Sequence, residues 1–436
     1  MGSKEDGTLY SWGFNGAGTL GQNTGGSNVR LSSPTQIPGT TWSSIGAIGR
    51  QPAAFSKTDG TLWMWGDNAQ GQLGHNNVVQ YSSPVQVGSD TTWPKTLTNN
   101  NQQISFYRDS VAAIKTDGTL WTWGHNGRGL LGHNNTVQYS SPVQVPGTTW
   151  KQITCNMRAA HAVKTDGTLW SWGYNEYGDL GVNTGGPGAG GQHMSSPVQV
   201  PGTTWKHTAS AAYGTMATKT DGTLWGWGDG ANGRLGLNNT TKYSSPTQIP
   251  GTTWSTTAGQ GDAHNGGACC MKTDGTAWFW GRNSTRSKGP GGPNEISSPT
   301  QIDAPSSRTW SQICSGNYDS MGVTTDGYWW QWGQFNSSVT PQSLGQGYSQ
   351  CDMWEGSATT KSGLKTDGSL WAWGRNDGGE LGLSSKTQQT EPAQVGSDTT
   401  WSTAEDHMGP GYYFSNHIKA NGTLWSWGMN GSEAPL

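Results

Sequence analysis

The chain has 436 residues, of which 31% are hydrophobic and 12% charged, with a formal net charge of −3 and a pI of about 6.3. That balance argues against nucleic acid as the main partner, because binding phosphates needs a concentrated basic surface. No stretch of roughly eighteen apolar residues exists, so no membrane-spanning helix is expected, and Met1-Gly-Ser-Lys-Glu-Asp-Gly7 carries no apolar signal-peptide core.

The chain holds 26 Trp and 68 Gly. A buried Trp removes about 150–250 Å² from water, so a few per structural unit can replace many aliphatic side chains. Glycine supplies turns. The composition fits a turn-rich β protein with little helix.

The ten residues Lys115-Thr-Asp-Gly-Thr-Leu-Trp-Thr-Trp-Gly124 read as a β-hairpin, with Asp117-Gly118 at a turn that needs positive φ. Trp121 and Trp123 are two residues apart and share one face of the following strand, while Leu120 and Thr122 share the other. The stretch recurs along the whole chain. Its turn residue falls at Asp6, Asp59, Asp117, Asp166, Asp221, Asp274, Asp326, Asp367 and Asn421, with gaps of 53, 58, 49, 55, 53, 52, 41 and 54 residues. A period near fifty suits a four-stranded propeller blade.

Taken in order, Thr8 to Gly13 is a third strand and Ser32 to Ile37 a fourth. A complete repeat runs from Trp150 to Pro201: strands at Trp150 to Cys155, Ala159 to Lys164 and Thr168 to Gly173, a glycine-punctuated loop from Tyr174 to Gly181, and a fourth strand at Ser195 to Val200. The proline in that fourth strand places it at the blade rim. The repeat between Asp326 and Asp367 lacks the loop and keeps a reduced fourth strand, Val339 to Leu344. Insertions stand at Val182 to Met194, Gly259 to Gly267, Asn283 to Glu295 and Gly347 to Ser362. The C-terminus supplies a first strand near Trp401, then Tyr413 to Lys419 and Thr423 to Gly428.

These repeats, Asp166-Gly-Thr-Leu-Trp-Ser-Trp-Gly173, Asn68-Ala-Gln-Gly-Gln-Leu-Gly74 and Ser195-Ser-Pro-Val-Gln-Val200, resemble the regulator of chromosome condensation repeat family over essentially the full chain. The style of the repeats is similar to that in marine tailed-virus and bacterial proteins. The expectation is an all-β fold, one propeller domain over residues 1–436 with four-stranded blades. Eight blades are expected, with nine and seven as alternatives. Residues 1–38 and 401–436 would form the closing blade through pairing of Ser32 to Ile37 with Trp425 to Gly428, which leaves Thr8 to Gly13 without a place.

Lysines stand before the turns, among them Lys57, Lys115, Lys164, Lys219, Lys272, Lys365 and Lys419. They read as solvated side chains weakly paired with the turn aspartates, with a polyanion site as the alternative. The Trp pairs and the linker Trp42, Trp93, Trp150, Trp205 and Trp254 read as blade packing. The five cysteines read as reduced thiols. No histidine pair has metal-ligand spacing, Gly185 to Gly191 lacks the ending of a phosphate loop, and no catalytic or cofactor-binding set emerges.

Partner contacts are expected on the irregular loops Asn283 to Glu295, Gly347 to Ser362 and Asp406 to Phe414, where Arg282, Arg286, Trp354, Tyr412 and Tyr413 are the candidates. The functional expectation is a non-enzymatic structural or binding propeller that meets a protein or glycan surface, as a virion-surface or appendage protein within a larger assembly. Its place would be the virion or cell exterior after release, with the cytoplasm as the alternative. An intracellular regulator of exchange-factor type, or a protein inhibitor of an enzyme, is the alternative function.

Overall fold

The computed structural model describes residues 1–4, 6–25, 29–47, 52–95, 103–107, 109–156, 158–184, 193–210, 214–255, 267–283, 294–304, 307–315, 319–333, 338–353, 360–402, 408–410 and 414–429. Among them the only helix is a single 3₁₀ turn, Ala231–Gly233. All other regular structure is antiparallel strand, in the expected all-β propeller arrangement of four-stranded blades. Two compact units are formed: Met1–Gly230, Thr241–Ile249 and Thr256–Gly259 in one, Ala231–Thr240, Pro250–Ser255 and Gln260–Leu436 in the other. Among the described residues the first contains five sheets and the second four.

The fourth sheet shows the pattern. Trp150–Cys155, Ala159–Lys164, Leu169–Gly173 and Met194–Val200 pair in that order, so the proline-bearing strand lies on the sheet edge, where its missing N–H costs no ladder bond. The hairpin turn is built the same way in each repeat. At Lys115, the amide of Gly118 donates to the Lys115 carbonyl at 2.9 Å, and the Lys115 amide donates to the Thr119 carbonyl at 2.9 Å. Gly118 takes the left-handed conformation, φ +78°, and a Cβ there would stand 3.2 Å from the amide nitrogen of Thr149 in the linker to the next sheet. Glycine is needed for both reasons. Asp117 Oδ1 accepts from the amide and hydroxyl of Thr119, and the Thr119 hydroxyl oxygen in turn accepts from Trp121 Nε1 at 2.9 Å.

Neighbouring sheets within each unit are joined by the loop after the strand. In Asn126-Gly-Arg-Gly-Leu-Leu-Gly132, the fully buried Asn126 accepts from the Leu131 amide and donates to the carbonyls of Asn135 and Val137. This fixes the Leu130 carbonyl, which accepts from Trp172 Nε1 of the next sheet at 2.8 Å. The same staple joins Trp65 to Thr19, Trp123 to Gln72, Trp227 to Asp179, Trp280 to Arg234 and Trp427 to Glu380. The core lies between sheets. Leu62, Met64, Leu73 and Val87 of the second sheet meet Trp93, Val111 and Trp123 of the third, while Leu120 on the opposite face meets Trp150 and Trp172 of the fourth. The period-two reading of the strand therefore holds.

Three expectations are corrected. Ile37 pairs with Leu9 and Gln36 with Tyr10, so Arg30–Ile37 completes the sheet of Leu9–Phe14 and not the one ending in Leu424–Gly428. A short local connection closes at a smaller entropy cost than a pairing of the two chain ends, and it gives the apparently surplus strand its place. Secondly, the strand expected to be reduced at Val339 to Leu344 is the nine-residue Ser338–Gln346. Thirdly, Gly347 to Ser362 is not one irregular loop: Tyr348–Met353 and the start of Lys361–Lys365 are paired strands of the eighth sheet.

Candidate interaction site

Where a lysine precedes the turn, the turn aspartate spends its Oδ1 atom on the following threonine or serine, so the lysine turns elsewhere. Each lies over two aromatic rings, that of the linker and that of the first strand Trp. Lys57 Nζ stands 4.6 Å from the ring centre of Trp42 and 4.1 Å from that of Trp63. Lys164 stands 4.5 and 4.7 Å from Trp150 and Trp170, and Lys219 4.6 and 4.3 Å from Trp205 and Trp225. Lys272 has Trp254 and Trp278, and Lys365 has Tyr348 and Trp371. Cation–π attraction at this range is worth about 0.5–2 kcal/mol, most where water is excluded. The lysines are therefore not merely solvated, since each ammonium is held against two rings. The second Trp of each pair is core, whereas the first is a half-buried wall for the ammonium.

A second cluster forms where loops of the third, fourth and fifth sheets meet in the first unit. The Arg128 guanidinium lies 4.8 Å from the ring centre of Tyr174. That of Arg158 lies 5.3 Å from Tyr174 and 4.4 Å from Tyr177, and Lys242 Nζ is 3.9 Å from Tyr177. The Tyr174 hydroxyl donates to Glu176 Oε2 at 2.7 Å, and Arg158 donates to the same oxygen at 3.1 Å. These two bonds, that from Tyr174 first, hold the Glu176 carboxyl below its ordinary range. His193 packs against Tyr174 at 4.9 Å. Beneath them the Asp179 carboxyl accepts from the Tyr177 amide, and burial pushes it up to about 6. The result is a surface of two phenols each carrying two cations, with one exposed acid.

Of the residues expected to contact a partner, Arg282 ends the strand Ala277–Arg282, exposed and opposite Glu295 in the ladder. Arg286, Trp354, Tyr412 and Tyr413 lie outside the described residues. The structure therefore brings no expected set together, and the Arg128–Tyr177 cluster was not foreseen. Its signal is present all the same: Arg128, Glu176 and Tyr177 occupy the variable positions of two successive Asn-x-x-Gly loops, which the repeat places side by side. Among the described residues no group of three or more His, Cys, Asp or Glu could hold a metal ion, and no helix is long and apolar enough to cross a membrane.

Residues 2–308 match the model of the RCC1-like domain, and residues 367–404 match the regulator of chromosome condensation (RCC1) repeat. The chain is 24% identical over 340 residues to the E3 ubiquitin-protein ligase HERC2 of Homo sapiens, a match spanning 75% of this chain and 6% of that protein. It is 30% identical over 139 residues to the X-linked retinitis pigmentosa GTPase regulator of Homo sapiens, spanning 31% of this chain and 13% of that one. The matches thus span only a small part of these relatives' length. The crystal structure of human WBSCR16 superposes with a TM-score of 0.55 at 18% identity, covering 89% of this chain and 93% of the other, which speaks for the shared fold. With a family model matched over more than half its length, the chain belongs to the RCC1-like domain family.

Proposed function

We propose that this chain is a non-enzymatic, protein-binding propeller of regulatory type, which meets its partner through the face of Arg128, Arg158, Tyr174, Tyr177 and Lys242. The observation that carries the reading is the stacking of guanidinium and ammonium groups on Tyr174 and Tyr177. Arg and Tyr are enriched among interface hot spots, and side chains already held against one another lose little further rotamer freedom on binding. Three cations against Glu176 suit an acidic protein surface. A glycan would need open aromatic faces to stack on, and each phenol already carries two cations. The names of the relatives, a ligase and a GTPase regulator, favour an intracellular regulator over the virion-surface or appendage reading.

Affinity capture with the wild-type chain and with an Arg158→Ala/Tyr177→Ala variant tests this. A partner protein held by the wild type and lost from the variant, at unchanged circular dichroism, is the expected result, with affinity falling about tenfold or more. A partner retained undiminished by the variant would exclude this face.

A further inference from the structure

Two of the linkers bring their own acid to the lysine. In Gly88-Ser-Asp-Thr-Thr-Trp93, Asp90 Oδ2 stands 2.7 Å from Lys115 Nζ, which lies over Trp93 and Trp121. In Gly396-Ser-Asp-Thr-Thr-Trp401, Asp398 pairs in the same way with Lys419 over Trp401 and Trp425. The linkers beginning Pro38-Gly39, Pro146-Gly147, Pro201-Gly202 and Pro250-Gly251 are one residue shorter and carry no acid. Their lysines, Lys57, Lys164, Lys219 and Lys272, lie over the same two indoles, yet none makes an ion pair among the described residues. The molecule thus contains its own comparison: one lysine cleft, with and without a carboxylate.

The glycine of the shorter linker keeps the ammonium approachable. A Cβ on Gly147 would stand 3.2 Å from Lys164 Nζ, on Gly202 3.3 Å from Lys219 Nζ, and on Gly251 3.1 Å from Lys272 Nζ. At Lys164 the cleft opens into a cavity of about 430 Å³ lined by Trp150, Trp170, Gly147, His133 and Pro197. That is within the usual size of a small-ligand site, roughly 300–1,000 Å³. The buried Nε1 of Trp150 has no acceptor among the described residues. The same is true of Trp93 and Trp401 beside their aspartates, so it is the lysine that a carboxylate meets.

We propose that this cavity is a binding site for the carboxylate of an acidic peptide segment, an aspartyl or glutamyl side chain of a partner protein presented to Lys164 as Asp90 is presented to Lys115. The ion pair forms against two indole walls that exclude water, where a charge-assisted hydrogen bond is strongest. The flanking peptide lies along Trp170 and Pro197. A peptide is favoured over an acidic sugar because what fills the cleft in the third and ninth repeats is an aspartate within an extended Ser-Asp-Thr-Thr segment. The site is separate from the Arg128–Tyr177 face, so each can fail without the other.

The test is titration of the full chain, labelled at its tryptophan indoles, with acetyl-Gly-Ser-Asp-Thr-Thr-amide, with its Asn counterpart and with glucuronate. The Asp peptide is expected to shift the Trp150 and Trp170 indole signals at millimolar concentration, with the Asn peptide about tenfold weaker or more. Lys164→Met should lose that response. So should a variant in which Pro146-Gly147 is replaced by Gly-Ser-Asp, because the linker then supplies its own carboxylate. Arg158→Ala/Tyr177→Ala should respond as wild type. Equal response to the Asp and Asn peptides, survival of the response in either cleft variant, a response to glucuronate alone, or none at all would overturn the proposal.

Discussion

Trp373 donates its indole N–H to the side-chain oxygen of Gln331 at 2.8 Å, where Trp65, Trp123, Trp172, Trp227, Trp280 and Trp427 use a backbone carbonyl. The repeat that contains Gln331 lacks the Asn-x-x-Gly-x-Leu-Gly loop, so the carbonyl it would supply is replaced by a strand side chain. The same Gln331 oxygen faces Lys361 Nζ at 3.4 Å, and Lys361 is paired with Asp319 at 3.1 Å, with both side chains almost fully buried. Gln331→Leu takes an acceptor from two buried donors. Urea unfolding should show a loss of about 1–3 kcal/mol. A change within about 0.5 kcal/mol, the range of ordinary surface substitutions, would mean that the Gln331 hydrogen bonds add little to this seam.

Asn126→Ala should be among the costlier loop substitutions. The side chain is fully buried and bonds to the Leu131 amide and to the carbonyls of Asn135 and Val137, and these bonds aim the Leu130 carbonyl at Trp172. Removing them leaves the Leu131 amide unsatisfied and unseats the staple. A loss of about 2–3 kcal/mol is expected, with a shift in the fluorescence of the indole pair at that seam. Substitution of Gly127, an exposed residue of the same loop, should not move the indole signal.

Stability should fall on acidification through His161. Its ring is fully buried between Ser171 and Thr215, Nδ1 2.8 Å from the serine hydroxyl and Nε2 3.0 Å from the threonine hydroxyl. Burial lowers its pKa to about 3. The unfolded chain therefore binds a proton at this residue from pH 6.5 downward while the folded chain refuses it. The contribution is intact above pH 6.5 and is lost as pH drops toward 3, at about 1.4 kcal/mol per pH unit within that window. His161→Gln should flatten the dependence of unfolding free energy on pH between 6.5 and 4. An unchanged slope would assign acid lability to other groups.

The hairpin, its period-two faces and the buried second Trp were legible in the sequence because turn residue and strand alternation are local matters. The lysines were not. Lys115 and Asp117 flank one turn and look like a pair, but Asp117 Oδ1 is taken by Thr119, a competition that spacing does not reveal. Tyr348 hid a strand because it stands where other linkers carry Trp. The Arg128–Tyr177 face required knowing that successive loops lie side by side. The end pairing was misjudged because the two half-repeats are complementary in pattern, and pattern does not weigh a short connection against a long one.

Reductant should leave thermal unfolding unchanged. Among the described residues Cys155, Cys269 and Cys270 stand outside any disulfide, and burial pushes Cys155 up to about 12, far from the thiolate that reacts. A drop of more than a few degrees in dithiothreitol would reveal a bridge elsewhere in the chain, since losing one costs about 2–5 kcal/mol.

The N-terminal sheet separates the observed pairing from the end-joined alternative. In the observed register Arg30–Ile37 bonds to Leu9–Phe14, and the pair covers the second sheet, where Leu9 and Ile37 pack against Phe55 and Trp65. Trp65 Nε1 donates to the Thr19 carbonyl at 2.8 Å, and the Trp42 amide donates to the Gly7 carbonyl at 3.0 Å. Removing residues 1–38 therefore uncovers two buried aromatic side chains. Exposing half of their roughly 300–500 Å² costs on the order of 4–6 kcal/mol, and hydrogen exchange should rise first in Ala53–Lys57 and Leu62–Gly66. Removing only residues 1–14 is the sharper experiment. It deprives Arg30–Ile37 of its ladder partner, so the amides of residues 30–37 should exchange at the rate of an unpaired segment. In the end-joined arrangement those amides would bond to Leu424–Gly428 and stay protected in the truncated chain. Protection of residues 30–37 after loss of residues 1–14 would restore the end-joined pairing.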